Sequence, residues 1–236
     1  MYQIYGGPAS PYSFKVRAAF RYLRLPHTWT VPMEGFTGEG RLGEGDPGST
    51  LARAGKGIVP VVCFPDGSFR ADSTPMLYHL SDLVPERTLV HPDPGIAFLS
   101  HLIEDMADEY LPLPFFHFRW TIDADWCGRR QMIGWNGAMP DKDLEPLARA
   151  FTARQQAQLG PGSPEASTQM RQQYEAFLMA LDGQLQESLF FFGTRPSLAE
   201  LGLAGQLSQY AADPYVSALL KRRSARVFQW EQLLDD

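Results

Sequence analysis

The spacing of apolar positions changes character once along the chain. Tyr2 to Tyr5 is a short β-prone run, broken by Gly6-Gly7-Pro8. Ser10-Pro11 then pairs a serine N-cap with proline at the first helical position, which predicts a helix running to about Leu23. Leu25-Pro26 ends it, and His27 to Val31 has the threonine, tryptophan and valine of a second strand. Glu34 to Gly57 is rich in glycine and charge, keeps no period of 3.6 or 2, and reads as a loop. Val59 to Phe64 is a strand, Pro65-Asp66-Gly67 a turn and Ser68 to Ala71 an antiparallel return strand. Asp72-Ser73-Thr74-Pro75 caps a further helix to about Leu83.

Residues 1–84 therefore form a β-α-β, loop, β-β-α module, and residues 85–94, with three prolines, form a linker. Across residues 95–236 the period becomes helical. Gly95 to Tyr110, Leu144 to Gln158, Thr168 to Ser188, Leu198 to Tyr210 and Tyr215 to Leu234 all place apolar residues three and four apart, with Gly160 to Pro164 a loop between helices. Thr121 to Pro140 mixes Trp126, Trp135, glycine and charge without a period and reads as an irregular excursion. The fold class is an α/β N-terminal domain followed by an all-α helical C-terminal domain.

Composition narrows the function classes. The 236 residues are 44% hydrophobic, enough to bury a sizeable core. A net charge of −6 with both signs interspersed provides no basic surface for nucleic acid. No stretch approaches the roughly 18 apolar residues of a membrane span, and the N-terminus lacks the pattern of a secretory signal, so the expectation is a cytoplasmic protein without a membrane partner. Cys63 and Cys127 are too few for a disulfide framework or a four-cysteine zinc site, and no metal ligand set is spaced along the chain. Gly38-Glu39-Gly40-Arg41-Leu42-Gly43 spells a dinucleotide fingerprint, but more turn residues follow it where a helix must start, so the match is rejected. Glu104, Asp105, Asp108 and Glu109 are expected to form a solvated helix face.

Four short motifs, in order, carry a resemblance. Ser10-Pro11-Tyr12-Ser13-Phe14 opens the first helix, Val59-Pro60 begins the third strand, Asp72-Ser73 begins the next helix, and Ser197-Leu198-Ala199-Glu200 is an N-capping box near the C-terminus. Together with the element order, they resemble the glutathione transferase superfamily over essentially the whole chain. The resemblance implies a thioredoxin-like N-terminal domain, glutathione as co-substrate, and a homodimer with detoxification-type transferase activity. It implies that Ser10 meets the glutathione thiol, that Pro60 is cis with the Val59 backbone bonding the cysteinyl part, and that Asp72 and Ser73 receive the γ-glutamyl end. The chain departs from the family pattern at Ile58, where many members have lysine (Lys56 lies further upstream), and at Pro75 and His79, where a small residue and an aromatic are usual.

The chemistry this implies is specific. A cysteine-type thiol has a pKa of about 8.5, so the site has to favour the thiolate, which is the nucleophile. Ser10 at a helix N-terminus can donate to the sulfur while the helix end adds positive potential. Lowering the pKa by about two units takes roughly 2.7 kcal/mol. Tyr12 and Ser13 are alternatives to Ser10 for the thiol contact, and serine in place of cysteine excludes a mixed disulfide there. The aromatic stretch from Tyr110 to Trp126 either lines a pocket for a small hydrophobic electrophile or packs as core; the pocket candidates are Tyr12, Tyr110, His117 and Trp120. A non-catalytic binding or interaction module on the same fold is the alternative to an enzyme.

Overall fold

The computed structural model describes residues 1–31, 53–55, 58–137, 139–160 and 162–234. The loop expected over Glu34 to Gly57, with its glycine-rich motif and Lys56, lies outside the described residues except for 53–55. β1 (Tyr2–Tyr5), α1 (Pro11–Tyr22), β2 (His27–Thr30), β3 (Val61–Cys63), β4 (Phe69–Ala71) and α2 (Ser73–Leu83) follow in the expected order. The sheet order is β2-β1-β3-β4. β1 and β2 are parallel, joined across α1, with Tyr2 opposite His27. β1–β3 and β3–β4 are antiparallel, the second pair closing through the Pro65-Asp66-Gly67 turn, where Gly67 has φ +84°. β3 is shorter than expected, because Val59 and Pro60 precede it across a cis peptide bond and do not pair.

A short 3₁₀ turn, Pro85–Arg87, lies in the linker segment. The rest is helical: α3 (Pro94–Glu109), α4 (Pro112–Thr121), α5 (Ala124–Asn136), α6 (Asp141–Leu159), α7 (Pro164–Glu187), α8 (Leu198–Ala212), α9 (Pro214–Arg223) and α10 (Ala225–Leu234). Two expectations need correction. Tyr215 to Leu234 is not one helix but two: Ser224 breaks the run in an extended conformation, and its hydroxyl accepts the Val227 N–H at 2.9 Å, starting α10. The stretch Thr121 to Pro140 is not irregular; most of it is α5. Gly128 and Gly134 lower its helix propensity, but both are contact points. A Cβ at Gly128 would sit 2.2 Å from Thr152 Oγ1, and one at Gly134 would sit 2.8 Å from Pro8. The buried side of α5 carries Cys127, Gln131, Met132 and Trp135, a helical stripe made hard to read by its polar member.

α8 is the axis of the molecule, buried on every side from Leu198 to Tyr210. Leu198 and Leu201 join the core beneath the sheet, with Ile4, Val16, Phe20, Val62 and Leu77. Leu203, Leu207 and Tyr210 join the helical core. Gly202 and Gly205 let α3 and α1 approach closely: a Cβ at Gly205 would lie 2.6 Å from the Pro11 carbonyl. The Ser197–Glu200 capping box is formed. Glu200, fully buried, accepts from the Ser197 N–H at 2.7 Å and also from the Phe191 N–H at 2.6 Å, tying the preceding loop to the helix start.

Candidate functional site

The seam between the two domains opens as a cavity of about 420 Å³ lined by Tyr12, Ile58, Val59, Pro60, Asp72, Ser73, Thr74, and the α3 residues His101, Glu104, Asp105, Asp108 and Glu109. Four of the sequence-derived binding residues (Val59, Pro60, Asp72 and Ser73) are thus brought to one wall, with Tyr12 beside them. The turn that delivers them is unusual. Asp72 takes φ +79°, a left-handed conformation rare for a non-glycine residue, and its side chain makes no capping bond to α2. Ser73 and Thr74, the first residues of α2, line the cavity, and a helix start is a ready place for a carboxylate.

The opposite wall corrects an expectation. Glu104 and Asp108 are not on a solvated face. They are buried against Lys15 of α1, which is itself fully enclosed. Lys15 Nζ pairs with Glu104, with Asp108 Oδ2 at 2.6 Å and with Thr74 Oγ1 at 3.1 Å, and the Thr74 hydroxyl donates to Glu104 at 2.5 Å. Sequence reading missed Lys15 because a lysine in mid-helix ordinarily points to water. The i, i+4 spacing of Glu104 and Asp108 was the available signal that both share one face. Burial pushes the Asp108 carboxyl above its ordinary range, with the Lys15 ammonium pulling the other way. Asp105 and Glu109 are exposed at the rim, as expected.

Ser10 is the N-cap of α1; its oxygen accepts the Ser13 N–H at 3.2 Å. It stands two residues before Tyr12, is only 9% exposed and is not among the residues lining the cavity. Ser13 is fully buried and its oxygen accepts from the Gly7 N–H at 3.2 Å. Tyr12 donates its hydroxyl to the Asp108 carbonyl at 3.0 Å, and burial, with the charges of Asp108 and Glu109, pushes its pKa up to about 12. Its proton is therefore committed and its phenol stays neutral.

The other pocket candidates lie elsewhere. Trp120 is core, packed edge-on against Phe151 and Phe116. His117 is buried against α7, its Nε2 2.7 Å from Ser167 Oγ, and burial lowers its pKa. Tyr110 is partly exposed at the end of α3, outside the cavity lining. Phe115 and Phe118 are likewise core, while Trp126 at the end of the stretch is exposed. Cys127 is buried, which pushes its thiol well above the usual range. Among the described residues no cluster of His, Cys, Asp or Glu could hold a metal ion, and no helix is long and apolar enough to cross a membrane.

A second ion cluster lies behind the loop that precedes α1. Arg119 Nε meets Asp213 Oδ2 at 2.5 Å, and Arg130 Nη1 reaches Asp213 Oδ1 at 3.3 Å and Gln209 Oε1 at 3.2 Å. Arg130 Nη2 donates to the Pro8 carbonyl at 3.0 Å. Asp213 is fully buried.

A fold of this order, with a ligand-sized seam at a cis-proline and a helix N-terminus, defines a thioredoxin-like domain joined to a helical one. Residues 4–88 match the family model described as glutathione S-transferase, N-terminal domain, and residues 164–232 match glutathione S-transferase, C-terminal domain. The chain belongs to the glutathione S-transferase superfamily. It is similar in fold to FzlA from C. crescentus, with a TM-score of 0.64 and 18% identity over 99% of this chain and 87% of that one. It is also similar to a glutathione S-transferase from Rhodospirillum rubrum F11, with a TM-score of 0.61 and 17% identity over 100% and 88%. A glutathione S-transferase from Methylobacillus flagellatus KT solved with glutathione bound aligns with a TM-score of 0.56 and 17% identity over 99% and 94%. No curated protein matches the sequence.

Proposed function

We propose that the seam binds glutathione as a co-substrate and that the chain is a glutathione transferase-like enzyme that activates the thiol for attack on a small electrophile. The observation that carries the reading is the convergence of Val59, cis-Pro60, Asp72 and Ser73 on one cavity wall. The Val59 backbone offers hydrogen bonds to the cysteinyl part. Ser73 and the start of α2 offer donors to the γ-glutamyl carboxylate, and the acidic wall offers a partner to its ammonium. Of the three candidates for the thiol contact, Ser13 is enclosed and the Tyr12 proton is committed to Asp108. Ser10 retains a hydroxyl proton, because its oxygen acts as acceptor toward Ser13. The helix end adds positive potential at the same point.

Calorimetric titration with glutathione tests the binding. The wild-type protein is expected to bind it, and Ser73→Ala to weaken binding about tenfold, the worth of one charge-assisted hydrogen bond. No heat from the wild type would overturn the reading. A second reading, a binding module without chemistry, is favoured by the enclosure of Ser10. It predicts that glutathione binds with an unshifted thiol pKa. Homodimer formation fits the exposed apolar stripe of α3, Phe98, Leu99 and Leu102; sedimentation equilibrium is expected to give twice the chain mass.

A further inference from the structure

The loop Gly6 to Ser10 is gripped from both sides by groups that neither bind glutathione in this reading nor belong to the cavity. A Cβ at Gly6 would lie 2.5 Å from the Trp29 ring, and one at Gly7 would lie 2.2 Å from the Trp135 ring of α5. The loop is therefore clasped between the sheet and a helix of the other domain. Pro8, between those glycines and Ser10, presents its carbonyl to Arg130 Nη2 at 3.0 Å and, at longer range, to Gln209 Nε2 at 3.5 Å. Within the loop the Ser10 N–H donates to the Gly7 carbonyl at 3.0 Å, so movement of Pro8 is passed directly to Ser10.

We infer that Arg130 is a positioning residue: through the Pro8 carbonyl it fixes the loop that presents Ser10, and so sets how well the thiolate is stabilised. This rests on the glutathione reading above. A second effect runs the same way. Arg119 and Arg130 share the one fully buried carboxylate of Asp213, with Asp123 nearby accepting from the Tyr215 N–H at 2.7 Å. An always-charged guanidinium therefore contacts Pro8, two residues from Ser10, and adds positive potential to the loop that presents it. The α5 segment that looks irregular in sequence is thus the part of the helical domain that reaches the reacting end.

Arg130→Ala is a clean variant because Asp213 keeps Arg119 at 2.5 Å, so no buried carboxylate is stranded. The thiol pKa of bound glutathione, followed by ultraviolet thiolate absorption, is expected to rise by about one unit, and kcat with an activated aryl halide to fall roughly tenfold. KM for glutathione is expected to stay within about threefold, since Asp72 and Ser73 are untouched. Arg130→Lys, which keeps the charge but not the fork, is expected to recover part of the pKa shift. Hydrogen exchange at Ser10, read without glutathione, is expected to quicken about tenfold in Arg130→Ala.

An unmoved thiol pKa in Arg130→Ala, or unchanged exchange at Ser10, overturns the inference. If Ser10→Ala raises the pKa while Arg130→Ala does not, the proposed function stands and only Arg130 loses its role. Absence of glutathione binding by the wild type overturns both.

Discussion

The two ion clusters buried along the interdomain seam are built to opposite arithmetic. In the first, one ammonium, Lys15, serves two carboxylates, Glu104 and Asp108, and this cluster backs the cavity wall opposite Asp72 and Ser73. In the second, two guanidinium groups, Arg119 and Arg130, share the single carboxylate of Asp213 behind the loop that leads to Ser10. The first cluster holds more carboxylate than ammonium, whereas in the second Asp123 stands close to the shared Asp213. Glutathione, lying between Asp72 and Ser10 in the proposed pose, presents an ammonium to the first and a developing thiolate to the second.

Removing the shared counter-ion of either cluster breaks the comparison most severely. Lys15→Met strands two buried carboxylates and Asp213→Asn strands two guanidiniums. Each is expected to lose about 3 to 5 kcal/mol in urea unfolding, because an uncompensated buried charge costs far more than the pair contributes. Glu200→Ala lies outside both clusters and calibrates them. It removes the capping acceptor and leaves the Phe191 N–H without its partner, and is expected to cost about 1 to 2 kcal/mol in the same assay.

The smallest effect is the sharpest in sign. Burial holds Asp108 above its ordinary carboxylate range despite Lys15, and the groups around it are Glu104, Tyr12 and Gln206. The folded chain therefore binds that proton more tightly than the unfolded one. The stability this gives is greatest below the unfolded pKa of about 3.9 and declines as pH climbs through the folded value. Asp108→Asn is expected to leave Lys15 paired one-to-one with Glu104, to change stability at pH 7 by less than about 1 kcal/mol, and to flatten that decline. A steeper decline in the variant would contradict the direction of the shift.

What the sequence discloses and what it conceals divide along the same seam. The order of strands and helices along the chain and the start of α2 at Asp72-Ser73 are legible because local rules write them: proline, glycine and capping residues act on their own neighbours. Ser197 and Glu200 are legible for the same reason. The cis form of Pro60 is legible only through the family resemblance. The burial of Lys15, Glu104 and Asp108 is concealed, since it depends on α1 meeting α3 across 89 residues of chain. α5 is concealed by Gly128 and Gly134, whose value lies in contacts with Thr152 and Pro8 rather than in local propensity. His117 and Trp120 read equally well as pocket or core, and only the packing of α4 against α6 and α7 resolves them as core.

The central claim is that Ser10 at the start of α1 holds the glutathione thiol as thiolate. Ultraviolet titration of glutathione bound to the wild type and to Ser10→Ala tests it most directly. The account predicts a thiol pKa about two units below the free value of about 8.5 in the wild type and recovery of most of that shift in the variant. A bound thiol that titrates like free glutathione in both proteins would contradict it.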